Sequence, residues 1–194
     1  ILGSGLFVAD AVAGRGVRAE QRGDLSGAER AYEVAVLWSF GSARYQEILA
    51  RFERRQGNSL RAIEVADDAA AVHEDDLFYG ELAALTRAEA AALDPAYGEE
   101  ALALYGELID RWPYHAAYHT GVGVALAITD DADGAEASFL RAMSIAPQSP
   151  EPYLNLALLY LEQGRIDDAR EVIDTGLSES AAPEQLTEIA ELIP

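Results

Sequence analysis

A stretch near the C-terminus decides the fold: Leu161-Glu162-Gln163-Gly164-Arg165-Ile166-Asp167-Asp168-Ala169. It predicts the end of one helix, a tight turn at a glycine and the start of a second helix. The same pairing of a glycine with an alanine five residues later occurs at Gly23 and Ala28, and at Gly57 and Ala62. The sequence therefore predicts a helical hairpin that recurs along the chain.

Equivalent alanines recur at a nearly constant interval. The interval is 34 residues except between Ala62 and Ala101, where it is 39, so we predict five extra residues near 77–81. The alanines are Ala28, Ala62, Ala101, Ala135 and Ala169. Four positions after each alanine the residue is mostly bulky, and seven positions after it the residue is mostly small. These residues share one helix face, along which neighbouring helices interlock.

This pattern resembles the tetratricopeptide repeat, a 34-residue helical hairpin with small, bulky and proline residues at fixed positions. The clearest copies are 116–149, with Gly123, Ala135, Phe139, Ala142 and Pro147, and 150–183, with Tyr153, Leu156, Tyr160 and Ala169. The predicted copies are 9–42, 43–76, 82–115, 116–149 and 150–183, followed by a capping helix at 184–194. In the third copy Glu89 replaces the glycine, and we expect Asp94-Pro95 to begin the turn.

The resemblance implies one all-α domain over residues 1–194, a right-handed α-solenoid of about five helix-turn-helix repeats with a C-terminal capping helix. Each hairpin buries its apolar face only against its neighbours, so the repeats stack into a continuous core. The first helices of the repeats are then expected to line a concave face. The alternative is an irregular helical bundle.

The composition argues against several classes of partner. A formal net charge of −20 repels nucleic acid and anionic membrane surfaces, whose binding requires a basic surface. All 14 basic residues are arginines, and the absence of cysteine excludes disulfides and thiol chemistry.

Arginines cluster at positions that contact ligands in the repeat family. We predict a carboxylate or phosphate site, since a guanidinium can hold either anion through two parallel hydrogen bonds. The predicted residues are Arg44, Arg51, Arg54, Arg55 and Arg87. The alternative is a solvated face whose charge is balanced by Glu47, Glu53 and Glu64.

The same positions in the fourth and fifth copies are mostly apolar. They predict a groove for a peptide, a helix or a second copy of the chain. The predicted residues are Thr120, Val124, Leu154, Asn155 and Leu158, together with Ala127, Ile128 and Leu161. The alternative is that the chain's own helix at 184–194 covers this stretch.

Few residues suggest chemistry. His115 and His119 have the spacing of two metal ligands on a helix, but they flank a predicted turn and fit an aromatic patch better. Asp130, Asp131 and Asp133 suggest a calcium loop, yet the glutamate required at its twelfth position is replaced by Ala142, so we expect a turn and a helix cap. We predict no catalytic residue, metal or cofactor.

The sequence therefore predicts a non-enzymatic scaffold that binds a protein or peptide partner, or a second copy, in the concave groove. An alternative rests on residues 9–32, which look like the junction between the last membrane helix and the repeat domain in bacterial O-antigen ligase/polymerase-like proteins. The chain would then be a soluble accessory domain of a glycan transferase, anchored upstream. Its first apolar residues, 1–9, are too few to span a bilayer.

Overall fold

The computed structural model describes residues 2–39, 42–72 and 77–193, and these residues contain eleven α-helices and no strand. The all-α prediction is confirmed. The helices are α1 (Leu2–Gln21), α2 (Leu25–Trp38), α3 (Ala43–Arg55), α4 (Ser59–Val72), α5 (Leu77–Ala90), α6 (Pro95–Arg111), α7 (Ala116–Ile128), α8 (Ala132–Ile145), α9 (Pro150–Glu162), α10 (Ile166–Glu179) and α11 (Glu184–Leu192). The sequence-predicted division into five copies and a cap stays a prediction.

The chain forms two compact units, residues 1–86 and residues 87–194. In the first unit, helices that follow one another in the sequence pack together: α1 on α2, α2 on α3, and α3 on α4. Ala9, Ala13, Ala35 and Tyr45 form a buried apolar cluster there. Three of these four side chains are alanines, which lets the helices approach closely.

In the second unit, α6 to α10 also pack in sequence order, and α7 additionally contacts α9. Its core contains buried aromatic and aliphatic side chains from α8, α9 and α10, including Phe139, Tyr153 and Ile173. The last helix, α11, inserts Leu186 and Ile189 into this core and packs on α9 and α10. The apolar side of the last hairpin is thereby covered.

The third hairpin differs from the sequence-based expectation. Its first helix begins at Leu77, and its second helix, α6, has 17 residues, whereas the other second helices of the hairpins have 14. The expectation that Asp94-Pro95 begins the turn is wrong, because Asp94 caps α6 by accepting a hydrogen bond from the Ala96 amide (3.0 Å) and Pro95 is its first residue. Proline is favoured there because its missing amide hydrogen is not needed in the first turn.

Four of the turns within hairpins share one backbone geometry. Gly23, Gly57 and Gly164 adopt positive φ values of 76°, 76° and 72°, and Asp130 takes the same conformation with φ 67°. After this turn, Asp131 caps α8 by accepting a hydrogen bond from the Gly134 amide (3.0 Å). The expected role of the Asp130–Asp133 segment as a turn and cap is therefore confirmed.

Glycines inside two helices make room for aromatic rings. A Cβ added to Gly16 would overlap the Tyr32 ring, and one added to Gly123 would overlap the Phe139 ring. In each pair the two residues occupy equivalent positions of the repeat, and both rings are buried. The repeat pattern in the sequence identified Gly123 but not Gly16, although each glycine precedes its aromatic partner by 16 residues.

Three polar side chains join three helices of the first unit. The Tyr32 hydroxyl of α2 donates a hydrogen bond to Glu20 Oε2 of α1 (2.9 Å), and Arg55 of α3 donates to Glu20 Oε1 through Nε (3.1 Å) and Nη2 (2.7 Å). Burial, and then the hydrogen bond to Glu20, raise the pKa of Tyr32 from 10.0 to about 12. Glu20 therefore links the first hairpin to α3.

We predict opposite effects of the same substitution at two helical glycines of the second unit. Gly123→Ala should lower the free energy of unfolding by about 1–3 kcal/mol, because the new methyl group has to displace the Phe139 ring. Gly106→Ala should raise it by up to about 1 kcal/mol, since Gly106 faces open space in α6 and alanine favours a helix. Urea unfolding followed by circular dichroism measures both, and a stabilising Gly123→Ala would contradict the proposed packing.

A second prediction concerns alkaline pH. The unfolded chain ionises Tyr32 near its ordinary pKa of 10.0, whereas the folded chain resists ionisation up to about pH 12. The stabilisation from this group is therefore fully present below pH 10 and is lost between these two values, by about 1 kcal/mol per pH unit. Tyr32→Phe should reduce the fall in unfolding free energy between neutral pH and pH 11.

The matched control for Tyr32→Phe is Tyr114→Phe, which removes the hydroxyl of an exposed tyrosine in the other unit. Its unfolding free energy should fall with pH as steeply as that of the wild type. Identical pH profiles for Tyr32→Phe and the wild type would argue against the role assigned to the Glu20 contact.

Candidate functional site

Four of the five arginines of the predicted anion site already contact carboxylates. Four of the five lie on α3 of the first unit, whereas Arg87 lies in the second unit. The pairs on α3 are Arg44 Nη1 with Asp10 Oδ1 (3.7 Å), Arg51 Nε with Glu47 Oε1 (2.9 Å) and Arg55 Nη2 with Glu20 Oε1 (2.7 Å). A bound carboxylate or phosphate would have to replace these contacts.

The other two arginines of this group are also engaged. Arg54 is half-buried and has an interaction partner. Arg87 is largely buried, and its Nε lies 2.8 Å from Glu100 Oε2. The anion site on these five residues therefore stays a prediction, and an anion bound there would have to compete with the contacts that these arginines already make.

Glu47, Glu53 and Glu64 were the carboxylates expected to balance the arginines, and they have two different roles. Glu47 pairs with Arg51, and Glu64 pairs with Arg61 on α4 (2.6 Å). Glu53 is buried, and its Oε2 accepts a hydrogen bond from Asn58 Nδ2 (2.7 Å) across the turn between α3 and α4.

Part of the apolar group lines an open groove in the second unit. The predicted residues that line it are Val124, Ala127, Ile128, Asn155 and Leu158. Its volume is about 150 Å³, and Phe139, Leu159 and Glu162 complete the lining. The groove thus lies between the last two turns of α7 and those of α9, with a ring from α8 as a further wall.

The remaining predicted residues lie outside this groove. Thr120 is half-buried, and its hydroxyl donates a hydrogen bond to the Ala116 carbonyl of its own helix (3.2 Å). Leu154 and Leu161 pack against the core of the second unit. Sequence reasoning did not select Glu162, although it occupies a position of the fifth copy that contacts ligands in the repeat family.

The C-terminal helix does not occupy the groove. Its buried residues Leu186 and Ile189 pack on α9 and α10, and no described residue of α11 lines the groove. Leu158 is 40% exposed and Ile128 is 38% exposed. In the part of the chain that the structure describes, the groove is therefore open to solvent.

The histidines make local contacts. His115 stacks on Tyr118 with ring centroids 4.1 Å apart, and His119 Nε2 lies 3.0 Å from the Pro113 carbonyl oxygen. Among residues 2–39, 42–72 and 77–193 there is no group of three or more histidine, aspartate or glutamate side chains that could hold a metal ion. The remaining histidine, His73, lies outside the described residues.

The first hairpin also exposes apolar side chains. Phe7 at the start of α1 is 81% exposed, and Leu37 at the end of α2 is 77% exposed. Neither α1 nor any other described helix combines the length and the apolar character needed to cross a membrane.

Two sequence models described as tetratricopeptide repeat match the second unit, one over residues 98–150 and the other over residues 126–187. No curated protein sequence matches the chain. The matches do not support the expected likeness to O-antigen ligase/polymerase-like membrane proteins.

Solved structures share the fold over most of the chain. A thermophilic tetratricopeptide repeat protein of Thermus thermophilus is 22% identical with a TM-score of 0.76, over 95% of this chain and 98% of that one. MamA of Desulfovibrio magneticus (residues 41 to the end) is 14% identical with a TM-score of 0.61, over 88% and 93%. PilW, a type IV pilus biogenesis factor, is 16% identical with a TM-score of 0.66, over 89% and 77%.

These likenesses confirm the predicted fold class, an all-α helical-repeat solenoid. Repeats of this type generally mediate protein–protein interactions and are typically non-enzymatic. Sequence similarity to tetratricopeptide repeats therefore covers residues 98–187, and the likeness to the solved structures shows the shared fold over most of the chain.

Proposed function

We propose that this chain is a non-enzymatic interaction module that holds an apolar part of a peptide or protein partner in the groove between α7 and α9. The observation that carries the proposal is the open groove itself, in which Ile128 and Leu158 leave apolar surface in contact with water. Burying such surface against a partner is favourable by about 25 cal/mol per Å².

The lining combines apolar contact with one group that can fix the direction of a bound chain. The Asn155 amide can both donate and accept hydrogen bonds, so it can pair with the backbone of a peptide. Val124 and Leu158 supply the apolar walls on either side. A groove that is mostly apolar with a few polar groups is typical of sites that recognise peptides.

The fold supports an interaction role over catalysis. Tetratricopeptide repeat domains generally bind protein or peptide partners, and PilW, which shares the fold, is a pilus biogenesis factor. The arginine group on α3 is a weaker candidate for the binding surface, because three of its four arginines already contact carboxylates. Self-association is disfavoured, since each copy carries a formal charge of −20.

A pair of leucine substitutions tests the site. Peptides selected from a random displayed library on the wild-type protein should bind Leu158→Glu at least about tenfold more weakly, because the carboxylate would lose hydration inside an apolar groove. The control is Leu140→Glu on α8: Leu140 is similarly exposed, at 46%, and does not line the groove. Fluorescence anisotropy gives the dissociation constants, and circular dichroism checks the fold.

Equal affinities of the wild type and Leu158→Glu for every selected peptide would place the binding surface elsewhere. Failure of the wild type to select any peptide would also count against the proposal. Loss of binding in both variants would point to added negative charge, not to the groove, as the cause.

A further inference from the structure

We infer that the partner held in this groove is a cationic amphipathic segment: one apolar side chain enters the groove, and a neighbouring lysine or arginine meets Glu162. This inference rests on the proposed function and adds the chemical class of the partner. Three features of the second unit carry it: the size of the groove, its charge and the direction of its two helices.

The groove has room for one anchoring side chain. A cavity of about 150 Å³ accommodates a benzene-sized group. A single leucine, isoleucine or phenylalanine therefore fills the space bounded by Val124, Ile128 and Leu158. Other apolar residues of the partner would lie along the exposed parts of α7 and α9.

The negative charge around the groove favours a positively charged partner. Residues 87–194 contain 20 acidic side chains and 5 arginines, which gives this unit a formal charge of −15 out of −20 for the whole chain. Glu162 lies in the groove lining itself and is exposed, and none of the described arginines forms a salt bridge with it. Arg165, three residues later, is instead held by Glu136 and Asp168.

The helix directions reinforce this preference. Ile128 is the last residue of α7 and Glu162 is the last residue of α9, and both line the groove. Two helix C-termini, each with a partial negative charge, therefore lie near the same end of the groove. A cation bound there would interact favourably with both termini and with the Glu162 carboxylate.

Acidic occupants are disfavoured by the same charges. A second copy of the chain would bring another formal charge of −20 to this surface, and an acidic peptide would place a carboxylate beside Glu162. Like charges brought together in this way oppose association, most strongly at low salt. The groove therefore discriminates by charge as well as by shape.

Three synthetic helical peptides test the inference. The first carries leucine on one face and lysine on the other, the second has glutamate in place of lysine, and the third has alanine in place of leucine. We expect the leucine–lysine peptide to bind the wild-type protein at least about tenfold more tightly than either of the others. Its binding should weaken as salt increases, because salt screens the charge contribution.

Matched variants separate the groove from general acidity. Glu162→Gln should weaken the leucine–lysine peptide about fivefold, the effect of one close charge pair in water. Glu171→Gln, at an exposed glutamate of α10 outside the groove, removes the same charge and should change the affinity less than about twofold. Leu158→Glu should weaken binding even though it makes the protein more acidic.

The outcomes distinguish the two proposals. If the leucine–glutamate peptide binds as tightly as the leucine–lysine peptide and Leu158→Glu weakens both, the groove is a binding site but the cationic preference is wrong. If Glu171→Gln weakens binding as much as Glu162→Gln, bulk charge explains the affinity and the inference is overturned. If neither leucine peptide binds, the proposed function fails as well.

Discussion

Close packing between small residues on one helix and large rings on the next is the constraint on which the whole structure depends. Gly16 accommodates Tyr32 in the first unit, and Gly123 accommodates Phe139 in the second. A glycine or alanine opposite a ring brings the two helix axes together and removes the ring from water. In both pairs the glycine precedes the ring by 16 residues, so one hairpin in each unit is held together by the same kind of contact.

The binding groove is a consequence of this packing. Phe139 is buried against Gly123 and also forms one wall of the groove, so the core and the candidate site share a side chain. Val124 and Ala127 likewise pack against the core and line the groove, whereas Asn155, Leu158 and Glu162 line the groove outside the core cluster. Their identities set what the groove can bind: apolar at Val124 and Leu158, amide at Asn155 and acidic at Glu162.

Charge has different roles in the two units. In the first unit three of the four arginines of α3 are paired with carboxylates, and one of these pairs, Arg55 with Glu20, helps to join three helices. In the second unit acidic residues exceed arginines by far, and Glu162 has no arginine partner among the described residues. An excess of charge that the fold does not neutralise internally remains available to a partner.

The sequence by itself determined the helical class and the recurrence of the hairpin, because glycine turns and small–large spacing are local properties of a helix. It also located most of the groove lining, since residues at equivalent repeat positions share a helix face. It did not place the start of α6 at Pro95. The pair Asp94-Pro95 was interpreted as the beginning of a loop between two helices, although proline also favours the first position of a helix. Only the tertiary structure decided that Arg55 binds Glu20, 35 residues away, and that α11 leaves the groove open. Such contacts depend on how neighbouring helices pack, which no local spacing specifies.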